Sequence, residues 1–294
     1  MNVNRPSVSV IGTGAVGSAL IDFFEVNLYP LRSVWNRSGG ILSHKNGVTE
    51  TVTSMNPENE EQSGELIFIT VPDDSISGVA QSLSTKEIAW KKKIAVHCSG
   101  NLSSDVLEPL KKKGASVVSM HPIQTFTTDD KSDRFQGIFV SVEGDEQAKV
   151  LLKGIIQEMG ANHLDVSAPE KRALHVAAVF ASNYMVTLFH EAENILQQAN
   201  ITAGITVLKP LIQQTAENIF RKGTVDALTG PASRGDTESI RKHLEQIRDD
   251  NRRNDLYKLL GSIAADITEK RGGLSTSQLL EMKTLFEKKE VNGS

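Results

Sequence analysis

Gly12, Gly14 and Gly17 stand at the spacing G-x-G-x-x-G, the pattern that lets a backbone turn hold a pyrophosphate. The stretch from Val8 to Gly17 reads Val-Ser-Val-Ile-Gly-Thr-Gly-Ala-Val-Gly: an apolar run suited to a buried strand, a glycine turn, then the helix-like Ser18 to Val26. In that order each glycine has separate work. Gly12 permits the tight turn, Gly14 lets the backbone approach a phosphate, and Gly17 lets helix and strand pack closely. Thr13, Ala15 and Val16 complete the turn, and the free N–H groups of the new helix face the phosphates. About twenty residues further on, a chain that binds NAD carries a carboxylate for the ribose hydroxyls. Here the residues are Val34-Trp35-Asn36-Arg37-Ser38. No carboxylate repels a 2′-phosphate, Arg37 can pair with one, and Asn36 and Ser38 can donate hydrogen bonds, so the expected cofactor is NADP.

Hydride transfer to a carbonyl or imine needs a donor at the atom where charge develops, and usually a cation for a substrate carboxylate. His175, Ser182 and Asn183 lie seven and eight positions apart, which keeps them on one side of a helix across two turns. His175 can donate a proton and Asn183 can hold a substrate oxygen; the competing reading is that both bond inside a helix bundle. The next helix carries Lys209, read as solvated, and Asn218. The loop Leu228-Thr229-Gly230-Pro231-Ala232-Ser233-Arg234-Gly235-Asp236 could deliver Arg234 to a carboxylate. Lys171 receives no role, because it falls in the first turn of its helix. His97 lies within a strand and reads as a satisfied core residue, whereas His121, at a strand end, is open between substrate donor and structural hydrogen bond.

The elements that must position these residues alternate through the first half. Apolar or strand-like runs at Gly47 to Ser54, Glu65 to Val71, Lys93 to Cys98, Ser116 to Met120, Gly137 to Glu143 and His163 to Val166 follow the first βαβ unit. In a doubly wound sheet ligands lie beyond the carboxyl ends of strands, which places Val71, Pro72, Ser99 and Gly100 on the cofactor side. Asp73 or Asp74 is expected to cap the next helix. A helix from Glu146 to Met159 should stop at Gly160. From Ser167 the pattern is helical throughout. Ser167 and Glu170 have capping-box spacing, Pro169 lies in the first turn, and a long alanine-rich helix should run to about Ala199 with much of its circumference buried. Further helices are expected at Ile205 to Arg221, distorted by Pro210, then after Asp236, at Asn251 to Lys270, and at Ser275 to Lys289. The fold class is therefore α/β: a Rossmann doubly wound sheet over residues 1–166, joined directly to an all-α domain over residues 167–294 that would serve the substrate and dimerisation.

Length and composition narrow the function classes. A chain of 294 residues suits about two domains, and 39% hydrophobic content supplies a core for each. A formal net charge of −4 offers no general attraction to nucleic acid or an anionic membrane, so a small-molecule partner is favoured. The glycine motif starts too near Met1 to leave room for a signal peptide, and no apolar stretch approaches a bilayer span; the expected location is cytoplasmic. A single cysteine, Cys98, excludes an internal disulfide and any cysteine-based metal cluster, and no metal site is expected.

With the glycine motif, His-Cys-Ser-Gly at 97 to 100, His-Pro-Ile-Gln-Thr-Phe at 121 to 126, His175 through Asn183, and the loop at 228 to 236, the whole chain resembles a family of proposed NADP oxidoreductases. These are Rossmann-like proteins whose C-terminal helical domain has no assigned function. The N-terminal half is also similar to the NADP-binding domains of deazaflavin-dependent NADP oxidoreductases and pyrroline-5-carboxylate reductase, and the two-domain plan to ketopantoate reductase and the β-hydroxyacid dehydrogenases. Those relatives use a catalytic lysine with an asparagine one helical turn away, and no lysine precedes Asn183 or Asn218 by four residues. The resemblance implies an oxidoreductase acting on a small carboxylate-bearing carbonyl, hydroxy or imino compound, ketopantoate-like in the most specific version. His175 would take the lysine's place, and a homodimer would form through the helical domains. Two other readings stay open at this stage: a cofactor-binding redox sensor without turnover, and an assembly domain on a degenerate Rossmann fold.

Overall fold

The computed structural model describes residues 5–37, 40–43, 49–52 and 59–287. Residues Met1–Asn183 and Tyr184–Ser294 form two compact units. In the first, strands β1 (Val8–Ile11), β2 (Leu31–Trp35), β5 (Leu66–Ile69), β6 (Ile94–His97), β7 (Ser116–Pro122), β8 (Phe139–Gly144) and β9 (Asn162–Asp165) make one sheet in the order β2-β1-β5-β6-β7-β8-β9. Every neighbouring pair is parallel except β7 with β8. Strands β3 (Gly40–Ser43) and β4 (Thr49–Val52) form a separate antiparallel hairpin. Only β4 falls within the strand expected at Gly47 to Ser54, part of which lies outside the described residues.

Alternate strand residues feed two cores, as the two-residue period of a strand requires. Val8 and Val10 of β1, Leu66 and Phe68 of β5 and Val118 and Met120 of β7 pack with α1 (Ala15–Val26) and α4 (Glu146–Glu158). Ile11, Ile67, Ile69 and Val117 face the other way, toward α2 (Asp73–Ser84) and the short α3 (Glu108–Lys111). Strand order reverses between β1 and β5, which opens a crevice at their carboxyl ends. Gly12 closes that end: its N–H donates to the Trp35 carbonyl at 2.7 Å, and the Thr70 N–H donates to the Ile11 carbonyl at 2.8 Å.

The helical stretch after Ser167 departs from a single buried spine. A capping box between Ser167 and Glu170 opens α5 (Ala168–Ala178), a π-helical turn covers Val179–Asn183, and α6 (Tyr184–Gln198) follows. No residue of the π turn or of α6 is buried, so the expectation of a mostly covered circumference fails within this chain. The run Ala168–Gln198 is also, by length and composition alone, apolar enough to cross a membrane, longer than inspection of the sequence suggested.

The second unit is helical from α6 onward. It continues with α7 (Lys209–Ala227), α8 (Pro231–Arg234), α9 (Thr237–Gln246), α10 (Asn251–Arg271) and α11 (Thr276–Phe286). Pro210 sits in the first turn of α7, where its missing N–H costs nothing. The break in that helix is at Gly223, whose φ of 81° is left-handed, and not at the proline. Asp236 accepts the Ser239 N–H to cap α9, and Ser275 with Gln278 forms the capping box of α11.

Gly17 shows how tightly α1 is seated on the sheet. A Cβ there would press on the Gly12 carbonyl oxygen and lie 2.6 Å from the Thr70 hydroxyl oxygen. Gly17→Ala is expected to destabilise the protein by about 1–3 kcal/mol, the usual cost of overpacking, seen as a lower urea midpoint at unchanged slope.

Candidate functional site

Two arrangements lie at the carboxyl ends of the parallel strands. The first is the glycine turn. Gly12 has φ of +108°, and a Cβ on it would lie 2.8 Å from the Thr70 carbonyl carbon and oxygen, so only glycine lets β1 and β5 end so close together. Thr70 secures the approach by donating its hydroxyl to the Gly12 carbonyl at 2.7 Å. Gly14 differs: it is exposed, and a Cβ there would meet nothing within 4 Å. Gly12 and Gly17 are hemmed in by the fold, whereas the front of Gly14 is open.

Gly14 is also the N-cap of α1. No side chain caps that helix and no acidic residue stands in its first turn, so its leading N–H groups remain available to an anion. The end of β2 is tied to the turn by the Asn36 amide, which donates to the Thr13 hydroxyl at 2.7 Å, and Arg37 next to it is exposed. Ser38 lies outside the described residues. Val71 is half-buried and Pro72 exposed at the end of β5.

The second arrangement gathers around Ser99 and Gly100, directly after β6. Ser99 is buried and engaged on every side. Its N–H donates to His97 Nδ1 at 3.2 Å, its hydroxyl donates to Asp73 Oδ2 at 2.7 Å, and that same oxygen accepts the N–H groups of Asn101 and Leu102. Asp73 therefore does not cap α2 with its side chain, as the sequence suggested; Pro72 is the N-cap and the carboxylate faces Ser99. The Ser99 carbonyl accepts from Lys171 Nζ at 2.5 Å.

Lys171 is 1% exposed. Burial pushes its amine down to about 8, while Glu143, Cys98 and Asp73 pull the other way. Four residues later, on the same side of α5, His175 approaches His121 from β7 with ring centroids 6.2 Å apart and planes at 74°. A Cβ on Gly100 would fall 2.7 Å from His175 Nδ1 and 2.8 Å from His121 Nε2, so the glycine is what admits both rings. Burial first, then the charge of Lys171 and the nearness of His175, push His121 down to about 4. His97 is pushed to about 4 by burial and by Lys171. It is the satisfied core residue expected, with Nε2 on the Ser103 carbonyl at 3.1 Å. Cys98 is free, and burial raises its thiol to about 12.

Two family models match, a Rossmann-like domain over residues 1–122 and a domain of unknown function, DUF2520, over residues 138–263. The two matches lie one after the other along the chain and share no residue. Among curated proteins none matches the sequence. Similar solved structures include TM1727 from Thermotoga maritima, at 25% identity and a TM-score of 0.70 over 90% of this chain and 99% of that one. BF3122 from Bacteroides fragilis has 22% identity and a TM-score of 0.71 over 90% and 98%. An imine reductase from Myxococcus stipitatus in complex with NADP+ has 16% identity and a TM-score of 0.58 over 94% and 99%. These likenesses show a shared fold.

The second arrangement draws on both domains. Ser99, Gly100 and His121 come from the Rossmann-like domain, and Lys171 and His175 from DUF2520. Of the residues singled out by the sequence, the structure gathers His175, Ser99 and Gly100. Asn183 is exposed at the end of the π turn. Asn218 and Arg234 belong to the helical unit. Asn218 Oδ1 accepts from Arg221 at 3.0 Å, and Arg234 is exposed at the end of α8, in a segment whose carbonyls at Leu228 and Ser233 accept from Arg271. Lys209 is exposed.

The residue missed was Lys171. Its position four before His175 was a signal in plain sight, but a first-turn lysine reads as solvated until the sheet beneath it is known.

The displaced amine has a stability signature. Below pH 8 both folded and unfolded chains hold the proton; between about 8 and 10.5 the folded chain has released it while the unfolded chain keeps it, so stability rises with pH across that window. The rise attributable to Lys171 should be on the order of 3 kcal/mol. Lys171→Met should remove it and leave stability near neutral pH equal or higher, measured by urea unfolding at a series of pH values.

Proposed function

We propose that this protein is an NADP(H)-dependent oxidoreductase that transfers a hydride to or from a small carbonyl, hydroxy or imino compound bearing a carboxylate. The observation that carries the reading is the open front of Gly14 at an uncapped helix start, beside a strand end that offers Asn36 and Arg37 and no carboxylate. The residues present fit the cofactor. Gly12, Thr13, Gly14, Ala15, Val16 and Gly17 would hold its pyrophosphate and Arg37, with Asn36 and Ser38, its extra phosphate. Val71, Pro72, Ser99 and Gly100 would border the rest. When bound, the nicotinamide supplies or accepts the hydride.

His175 would polarise the reacting group, and Lys171 one turn before it supplies the amine that the related dehydrogenases pair with asparagine. Asn183 and Asn218 are retained as candidates to hold substrate oxygens, and Arg234 as the cation for a carboxylate.

A homodimer through the helical part accounts for large apolar side chains left in the open. Val186 and Leu188 on α6, Leu211 and Phe220 on α7 and Leu259 and Ile263 on α10 are all exposed, Phe220 to 90%. A second copy covering these faces would bury them without a bilayer, in keeping with a cytoplasmic location.

Arg37→Ala should weaken NADPH binding at least about tenfold while changing NADH binding little, as loss of one charge-assisted phosphate contact implies, read by fluorescence titration. Equal loss for both cofactors would refute the assignment. NADPH oxidation should be observed with a member of a panel of 2-keto acids, ketopantoate first, and cyclic imines; binding without turnover across the panel would restore the sensor reading. Light scattering in detergent-free buffer should give twice the chain mass, and Phe220→Glu should shift it toward the monomer, whereas a need for detergent would point to a membrane.

A further inference from the structure

The three histidines near Lys171 differ in how their ring nitrogens are met. His97 is fully determined: Nδ1 accepts the Ser99 N–H, so the proton is on Nε2 and is donated to the Ser103 carbonyl. Among the described residues no protein group hydrogen-bonds to the ring nitrogens of His121 or His175. Both rings crowd the place a Gly100 Cβ would take: His175 comes nearest with Nδ1 at 2.7 Å, and His121 lies alongside with Nε2 at 2.8 Å and Cε1 at 2.9 Å. The hydrogen that glycine carries there accepts nothing. An N–H aimed at it would be a half-buried donor without an acceptor, whereas a lone pair faces it at no such cost. In a singly protonated His175 ring the proton therefore goes to the far nitrogen, Nε2.

We propose that His121 is the positioning residue for His175: braced edge-on against it over Gly100, His121 keeps the His175 ring turned with Nδ1 to the glycine, so that Nε2–H is the hydrogen bond offered to the substrate. The inference rests on the reading of His175 as the group that polarises the reacting atom, and it deepens that reading. An Nε2–H held in one direction suits an sp² oxygen or nitrogen, the acceptor of a carbonyl or imine. Burial and the Lys171 charge keep His121 itself neutral, so it neither competes for the proton nor repels the partner ring.

Histidine ring ¹⁵N–¹H correlation spectra of the full chain without ligand, at about pH 7, test this directly. In the wild-type protein His97 and His175 should both give the pure Nε2–H pattern. In His121→Asn, and in Gly100→Ala where the added methyl pushes the rings apart, His97 should keep its pattern while His175 moves to the averaged signals of a ring exchanging between tautomers. An Nδ1–H, averaged or doubly protonated His175 in the wild-type protein overturns the proposal, even if a variant fails to fold and loses the His97 signals. A pure Nε2–H His175 that survives both substitutions overturns the positioning role. The spectra require no turnover. Correct tautomers in a protein that oxidises no NADPH would therefore count against the oxidoreductase reading alone.

Discussion

The hydrogen bond from Lys171 to the Ser99 carbonyl is the interaction on which the second arrangement depends. A lysine amine leaves water at a considerable cost, and here it does so to meet a carbonyl at the end of a central strand, with Asp73 and Glu143 near enough to offset part of that cost. Glu143 is itself held by the N–H and hydroxyl of Ser104, and Asp73 by the Ser99 hydroxyl, so the charges around the amine are fixed in place. The bond ties the first turn of α5 to the β6 end. Everything that α5 carries, His175 first, inherits its position from that tie.

Glycines define the other half of the geometry, and they do it in opposite ways. Gly12, Gly17 and Gly100 are places where backbone or a ring has come too close for a side chain; Gly14 is a place where nothing has come at all. Three of the four are explained by the protein's own packing. The fourth stands open at the start of α1.

The helical unit presents a different balance. Caps at Asp236 and Ser275 and the guanidinium of Arg271 on the 228–236 loop organise it locally, yet the flanks of α6, α7 and α10 stay apolar and uncovered. Buried Arg253, bonded to Glu191 and Gln198, ties α10 to α6. A unit with a small core, made chiefly by Ile240, Ala265, Met282 and Phe286, gains most from burying those outer faces elsewhere.

What the sequence determined by itself is local. Apolar runs ending in glycine, the cap pairs Ser167–Glu170 and Ser275–Gln278, and the carboxylate-free end at Asn36 and Arg37 are signals carried by neighbours in the chain, and the strands, helix starts and cofactor turn follow from them. Where the local signal was ambiguous the expectation failed: Pro210 proved harmless in a first turn, Asp73 turned to Ser99 instead of capping, and the spine helix, continuous over Ala168–Gln198, stayed uncovered along its π turn and second half. Only the tertiary structure decided that Lys171 is buried, that His121 meets His175 and that Gly100 makes room for both. Each of those facts joins β6 or β7 to α5 across 50 to 75 or so residues of chain, and burial at that separation is a property of packing that no window along the sequence contains.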